Sequence, residues 1–229
     1  MVTAIIHYVR RRPDSYWLYV ILFLGPLGAL VYIVAEVLPD AQLLGPAFRG
    51  FSRRRRISEL QALVVDNPSA GNYEELGQLY LDEEKFARAK ESFDKSISSR
   101  TDSPDPFYRR ALASMGLNEF AAAVPDLERV VSKDPRYDFS RAPALLADAY
   151  ARTGQGDRAD ALFRQVMQVS TLTESQVNYA EFLKSSGRNA EARELLERVI
   201  GKKRTMPGFQ RRRERPWFRR ASSLLSTLR

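Results

Sequence analysis

Asn72 to Ile97 reads N-Y-E-E-L-G-Q-L-Y-L-D-E-E-K-F-A-R-A-K-E-S-F-D-K-S-I. The stretch is an amphipathic helix, a short turn and a second amphipathic helix. Its small residue, Gly77, is followed by Ala89 and then by the large apolar Phe93. The same triad returns as Ala111, Ala123 and Leu127, as Ala147, Ala159 and Phe163, and as Ala180, Ala192 and Leu196. Successive units stand 34, 36 and 33 residues apart. One helix pair cannot bury its apolar face alone, so pairs repeated at this interval stack into a continuous core. Small residues are required where two helices cross closely, and Phe93 and Phe163 fill the gap between one pair and the next.

The first unit resembles the tetratricopeptide repeat, with Leu76, Gly77, Tyr80, Phe86, Ala89 and Phe93 at the family's signature places. The third supplies Leu146, Ala147, Tyr150, Gly154, Ala159 and Phe163. The second (Ala111, Phe120, Ala123, Leu127) and the fourth (Ala180, Leu183, Gly187, Ala192, Leu196) are more divergent. Asn67-Pro68 and Asp134-Pro135 are helix stops at the same phase. The expected fold is all-α: a solenoid of about four helix pairs over 70–103, 104–138, 140–171 and 173–200, preceded by a capping helix at 54–68. A solenoid of this kind presents a surface for holding other molecules.

The resemblance implies that the first helix of each pair lines a concave groove. That phase puts Glu74, Gln78, Leu81 and Asp82 there from the first unit, and Tyr108, Leu112 and Met115 from the second. Arg141, Asp148 and Arg152 come from the third, and Val177, Glu181 and Lys184 from the fourth. A mixed-polarity groove with a small apolar centre suits a peptide or helix of a partner protein. The Lys/Asn set that grips a C-terminal carboxylate in chaperone-binding members is missing.

The flanks differ from this body. Residues 1–56 carry eight arginines against three acids, and residues 201–229 carry ten Lys/Arg against one Glu. The whole chain is +8, so the middle is acidic and the basic character belongs to the ends. Residues 1–15 form a short basic segment. From Trp17 to Ala35 no residue is charged, and about 20 apolar residues span a bilayer core. A transmembrane helix is therefore expected over 16–38, with Tyr16, Trp17 and Tyr19 as an interfacial belt and a juxtamembrane linker at 39–53. A buried helix and a cleaved signal sequence are the alternatives. Phe23–Tyr32 loosely resembles the membrane segment ahead of phospholipase-D-type cardiolipin synthases, without that family's catalytic motif. Arg49 and Arg53–Arg56 after the span outnumber Arg10–Arg12 before it, which favours a cytoplasmic repeat domain.

The tail contains an amphipathic helix at 216–228, with Trp217, Ala221, Leu224 and Leu228 on one stripe. Arg211, Arg212, Arg213, Trp217, Phe218, Arg219 and Arg220, with Arg53, Arg54, Arg55 and Arg56, are candidates for contact with an anionic bilayer surface. Docking of this helix on the last repeat as a cap, disorder of its Arg-rich part and, least favoured, nucleic-acid binding are the competing readings.

Catalytic chemistry finds no foothold. The chain has no Cys and a single His at position 7, and it lacks a phosphate-cradling loop or nucleophile elbow. No metal site or cofactor is expected. The function that emerges is a membrane-anchored, non-enzymatic scaffold for a protein or peptide partner. Its alternatives are an accessory subunit of a membrane enzyme or envelope-biogenesis complex, recognised through the apolar span, and a nucleic-acid-binding tail.

Overall fold

The computed structural model describes residues 19–20, 23–32, 45–98 and 103–228. They form twelve helices and fall into two compact units, residues 1–59 and 60–229.

The first unit holds α1 (Gly25–Tyr32) and the beginning of α2 (Gly45–Asp66). α1 has 8 residues, which makes it about 12 Å long, against roughly 30 Å of bilayer hydrocarbon. Leu24 is a bend and Gly25 takes φ +54°, so the apolar run breaks just ahead of α1. Among the described residues no helix is long and apolar enough to cross a membrane. This overturns the expected single-pass localisation, and the cytoplasmic orientation inferred from it falls too. The likeness to the cardiolipin synthase segment likewise gains no support. The remaining parts of the expected span, at 16–18, 21–22 and 33–38, lie outside the described residues, as do the basic segment 1–15 and residues 39–44 of the expected linker. Residues 45–53 of that linker are helical instead, because α2 begins at Gly45. Arg55 and Arg56 sit on α2 and share Glu59, at 2.9 and 3.6 Å.

The second unit is a ladder of helix pairs: α3 (Ala70–Asp82) with α4 (Phe86–Ser98), α5 (Asp105–Gly116) with α6 (Phe120–Lys133), α7 (Tyr137–Arg152) with α8 (Gly156–Val169), and α9 (Thr173–Ser185) with α10 (Asn189–Lys202). Ser69 caps α3 by accepting the Asn72 N–H at 3.3 Å, one of the free donors that every helix start exposes. Each pair packs on itself and on the next pair. Ala89, Ala123, Ala159 and Ala192 are fully buried, as are Phe93, Leu127, Phe163 and Leu196. Gly77 shows why the crossing demands a small residue: a Cβ there would lie 2.8 Å from the Phe93 ring. Phe163 stacks on Tyr179 of the following pair with ring centroids 5.0 Å apart.

The turn inside each pair repeats as well. Glu84, Asn118, Gly154 and Gly187 all have positive φ, at 56°, 60°, 79° and 76°. This left-handed step closes the first helix and re-aims the chain. Glycine takes it without strain and asparagine tolerates it, but glutamate does not suit it.

After α10 come α11 (Gly208–Arg213) and α12 (Arg215–Ser226). α12 packs on both α9 and α10, where the first helix of another repeat would sit. Phe218, Ala221 and Leu228 are buried in the common core, with Trp217, Leu224 and Leu225 half-buried against it. The apolar stripe of the tail therefore closes the solenoid. This corrects its reading as a bilayer-contacting face: Phe218 is 4% exposed and has no surface to offer a membrane.

Candidate functional site

The first helices α5, α7 and α9, together with α12, share a face that is laced by charge. Two ladders cross it. In one, the Tyr108 hydroxyl of α5 donates to Asp138 at 2.6 Å, and Arg141 of α7 grips Glu174 of α9 through two nitrogens at 2.7 and 3.1 Å. In the other, Arg152 of α7 meets its own Asp148 at 3.4 Å and Glu181 of α9 at 3.0 Å. Glu181 in turn receives the Arg220 guanidinium of α12, with Nε at 2.6 Å. Paired forks of this kind fix side-chain geometry as well as adding energy. Burial pushes the Asp148 carboxyl above the usual carboxylate range, and Arg152 opposes this. Burial also raises the Tyr108 phenol, with the Asp138 hydrogen bond acting the same way.

The groove candidates thus divide. Arg141, Asp148, Arg152 and Glu181 do come together, as a connected framework. Lys184 donates to Thr227 Oγ1 at 2.7 Å, beyond the end of α12. Gln78 and Asp82 hydrogen-bond each other at 2.7 Å, and Leu81 is half-buried beside them. Leu112 and Met115 are half-buried against the core. Three assignments need correction. Val177 is fully buried and belongs to the core. Glu74 accepts from the buried Ser96 hydroxyl of α4 at 3.0 Å, so it faces its helix partner. Tyr108 is 6% exposed, its ring packed edge-on against Tyr137 at 5.0 Å.

A cavity of about 650 Å³ opens where α7, α9 and the tail meet, lined by Asp138, Phe139, Arg141, Glu174, Arg213 and Trp217 among others. Sequence reasoning assigned Arg141 to the groove and Arg213 and Trp217 to the tail; the structure joins them. It had no place for Phe139, which is 88% exposed. Asp138, Phe139 and Ser140 run through positive φ at 50°, 53° and 66°, a conformation rare for residues bearing side chains. No glycine announces this kink in the sequence. On the outer side of α12, Arg211, Arg212 and Arg219 line a second cavity and lie away from the ladders. Among the described residues no group of three or more His, Asp or Glu could hold a metal ion.

Comparison with known proteins agrees with this architecture. Residues 70–102 and, separately, 144–176 match the tetratricopeptide repeat family. No curated protein matches the chain in sequence. YrrB, described as a TPR protein with an unusual peptide-binding site, is 21% identical, with TM-score 0.58 over 70% of this chain and 81% of its own. MamA from Desulfovibrio magneticus RS-1 is 18% identical, with TM-score 0.63 over 70% of this chain and 91% of its own. A tetratricopeptide repeat protein from Parabacteroides merdae covers 96% of this chain and 90% of its own at TM-score 0.52 and 14% identity. These likenesses establish the fold: tetratricopeptide repeats in an all-α solenoid of the kind that serves as a protein-interaction scaffold.

Proposed function

We propose that the first-helix face binds an extended or helical segment of a partner protein, seated across Leu81, Leu112 and Met115 and anchored in the cavity of Phe139, Arg141 and Trp217. The observation that carries this reading is that cavity. It combines exposed aromatic surface with a guanidinium fixed by Glu174, and it lies at the end of a face whose charges are already paired into a rigid frame. A frame ordered before binding loses little entropy on binding, and an aromatic residue beside an arginine is the usual composition of an interface anchor. The YrrB likeness supports a peptide as the class of partner, although its site lies in another protein.

Peptides selected from a displayed random library on the full chain provide the test. Their affinity for a Phe139→Ala/Trp217→Ala variant should fall by about tenfold or more. Unchanged affinity, or no saturable peptide recovered, would overturn the reading.

A further inference from the structure

We infer that the cavity between the end of α10, α11 and the outer side of α12 is a binding site for a small polyphosphate-type anion. It is separate from the first-helix face and independent of what that face binds. The cavity measures about 690 Å³, the size of a small-molecule site. Lys203, Arg211, Arg212, Arg215 and Arg219 line it. Arg215 and Arg219 lie one turn apart on α12, and Ser222 continues their stripe. Its hydroxyl donates to the Phe218 carbonyl at 2.9 Å. The one acid of the segment, Glu214, is not among the lining residues.

Among the described residues, no ion pair engages any of these five cations. Like charges one turn apart repel, and here two further guanidinium groups and an ammonium face them from α11 and from the end of α10. Elsewhere in this unit arginines that approach one another share a carboxylate between them, as Arg152 and Arg220 share Glu181. In this cavity the carboxylate is missing, and a ligand with several anionic oxygens would take its place. Four of the five cations are arginine, whose planar fork matches phosphate oxygens two at a time. Phe218 lines the cavity only as its buried floor. Recognition therefore falls on charge and oxygen geometry. A nucleic-acid strand would need exposed rings on which to stack its bases.

Titration of the full chain with sodium tripolyphosphate by isothermal calorimetry at low ionic strength tests the assignment. One anion should bind per chain. Arg212→Gln/Arg219→Gln should weaken it by about tenfold or more, while a control that removes two charges elsewhere, Arg54→Gln/Arg136→Gln, should leave it within about twofold. Ser222→Glu keeps every cation and places a carboxylate in the cavity, so it should suppress binding with helix content unchanged by circular dichroism. Absence of saturation, or equal weakening by the control pair, would refute the site. Citrate binding as tightly as tripolyphosphate would reassign it to carboxylates, and a single-stranded RNA oligonucleotide binding more tightly still would reassign the tail to nucleic acid; either result overturns the proposal.

Discussion

Between Ala70 and Lys202 the arginines at helix–helix boundaries are engaged. Arg110 is held by Asp94 and Asp126, Arg141 by Glu174, Arg158 by Glu128 and Arg188 by Asp160 and Glu191. From Lys203 to Arg219, Lys203, Arg211, Arg212, Arg215 and Arg219 surround one cavity without a carboxylate among them. Both regions are arginine-rich and both are helical. The difference is that charge in the repeats works between helices, where it sets how one pair lies on the next, whereas among the described residues these five tail cations meet no carboxylate, although Arg220 beside them is paired with Glu181.

The sharpest way to break this contrast is to remove one arginine from each side. Arg110 grips Asp126 through two nitrogens at 2.7 and 2.6 Å, and Asp126 is 5% exposed. Arg110→Ala strands a buried carboxylate, so urea unfolding should show a loss of about 3 kcal/mol. Arg212→Ala should change stability by less than about 0.5 kcal/mol. Comparable losses would mean that the tail charges are structural too.

A smaller effect is expected where the two regions touch. Glu181 and Arg220 join α9 to α12 at a half-exposed site, so a double-mutant cycle on Glu181→Gln and Arg220→Gln should give a coupling of about 1 kcal/mol that shrinks with salt. Zero coupling at low salt would leave the cap held by apolar packing of Phe218, Ala221 and Leu228 and by hydrogen bonds such as that from Lys184 to Thr227.

The repeats were legible because their period is written in residues that packing cannot replace. A Cβ on Gly77 or a longer side chain at Ala89 meets a neighbouring helix, so spacing alone located the crossing inside each pair. The groove was legible only in part. Helical phase tells which way a residue points, yet Val177 shares its phase with Glu181 and is covered by neighbouring elements, whose placement phase does not encode. The tail's apolar stripe was legible as a stripe, but what it covers stayed open between a bilayer surface and the last repeat, since both demand the same pattern, and packing decides for the repeat. The apolar run near the N-terminus misled for a different reason. Composition measures hydrophobicity per residue, whereas crossing a membrane also needs a helix of sufficient length, and among the described residues the helix of that run has 8 residues. The kink at Phe139 had no signal, for none of its three left-handed residues is glycine.

The turns offer a finer comparison inside the body. Gly154 and Gly187 fill the left-handed step at no steric cost, but the first repeat uses Glu84 at φ 56°. Glu84→Gly relieves that strain and adds chain entropy to the unfolded state. The two oppose, and a net gain of about 0.5 kcal/mol is expected. The same glycine substitution at Asn118 should gain less, since asparagine already visits this conformation. A loss at Glu84 in thermal unfolding would show that its side chain contributes more than its backbone costs.

The least effect concerns a second carboxylate that, like Asp126, the repeats both pair and bury. Asp148 is 8% exposed, and burial raises its carboxyl above 3.8, the ordinary value, despite Arg152. A carboxyl whose pKa rises on folding favours the folded state most when protonated. Its contribution is fully present below the unfolded value and is lost as pH rises through the folded one. Asp148→Asn removes that dependence while keeping the shape. It should therefore leave stability near pH 3 unchanged and raise Tm at pH 7 by about 2 °C at most. A lower Tm at pH 7 would mean that the Arg152 pairing outweighs the burial of Asp148, so that even the buried rung of the ladder stabilises the repeats, and the contrast with the five cations around the tail cavity would be sharper still.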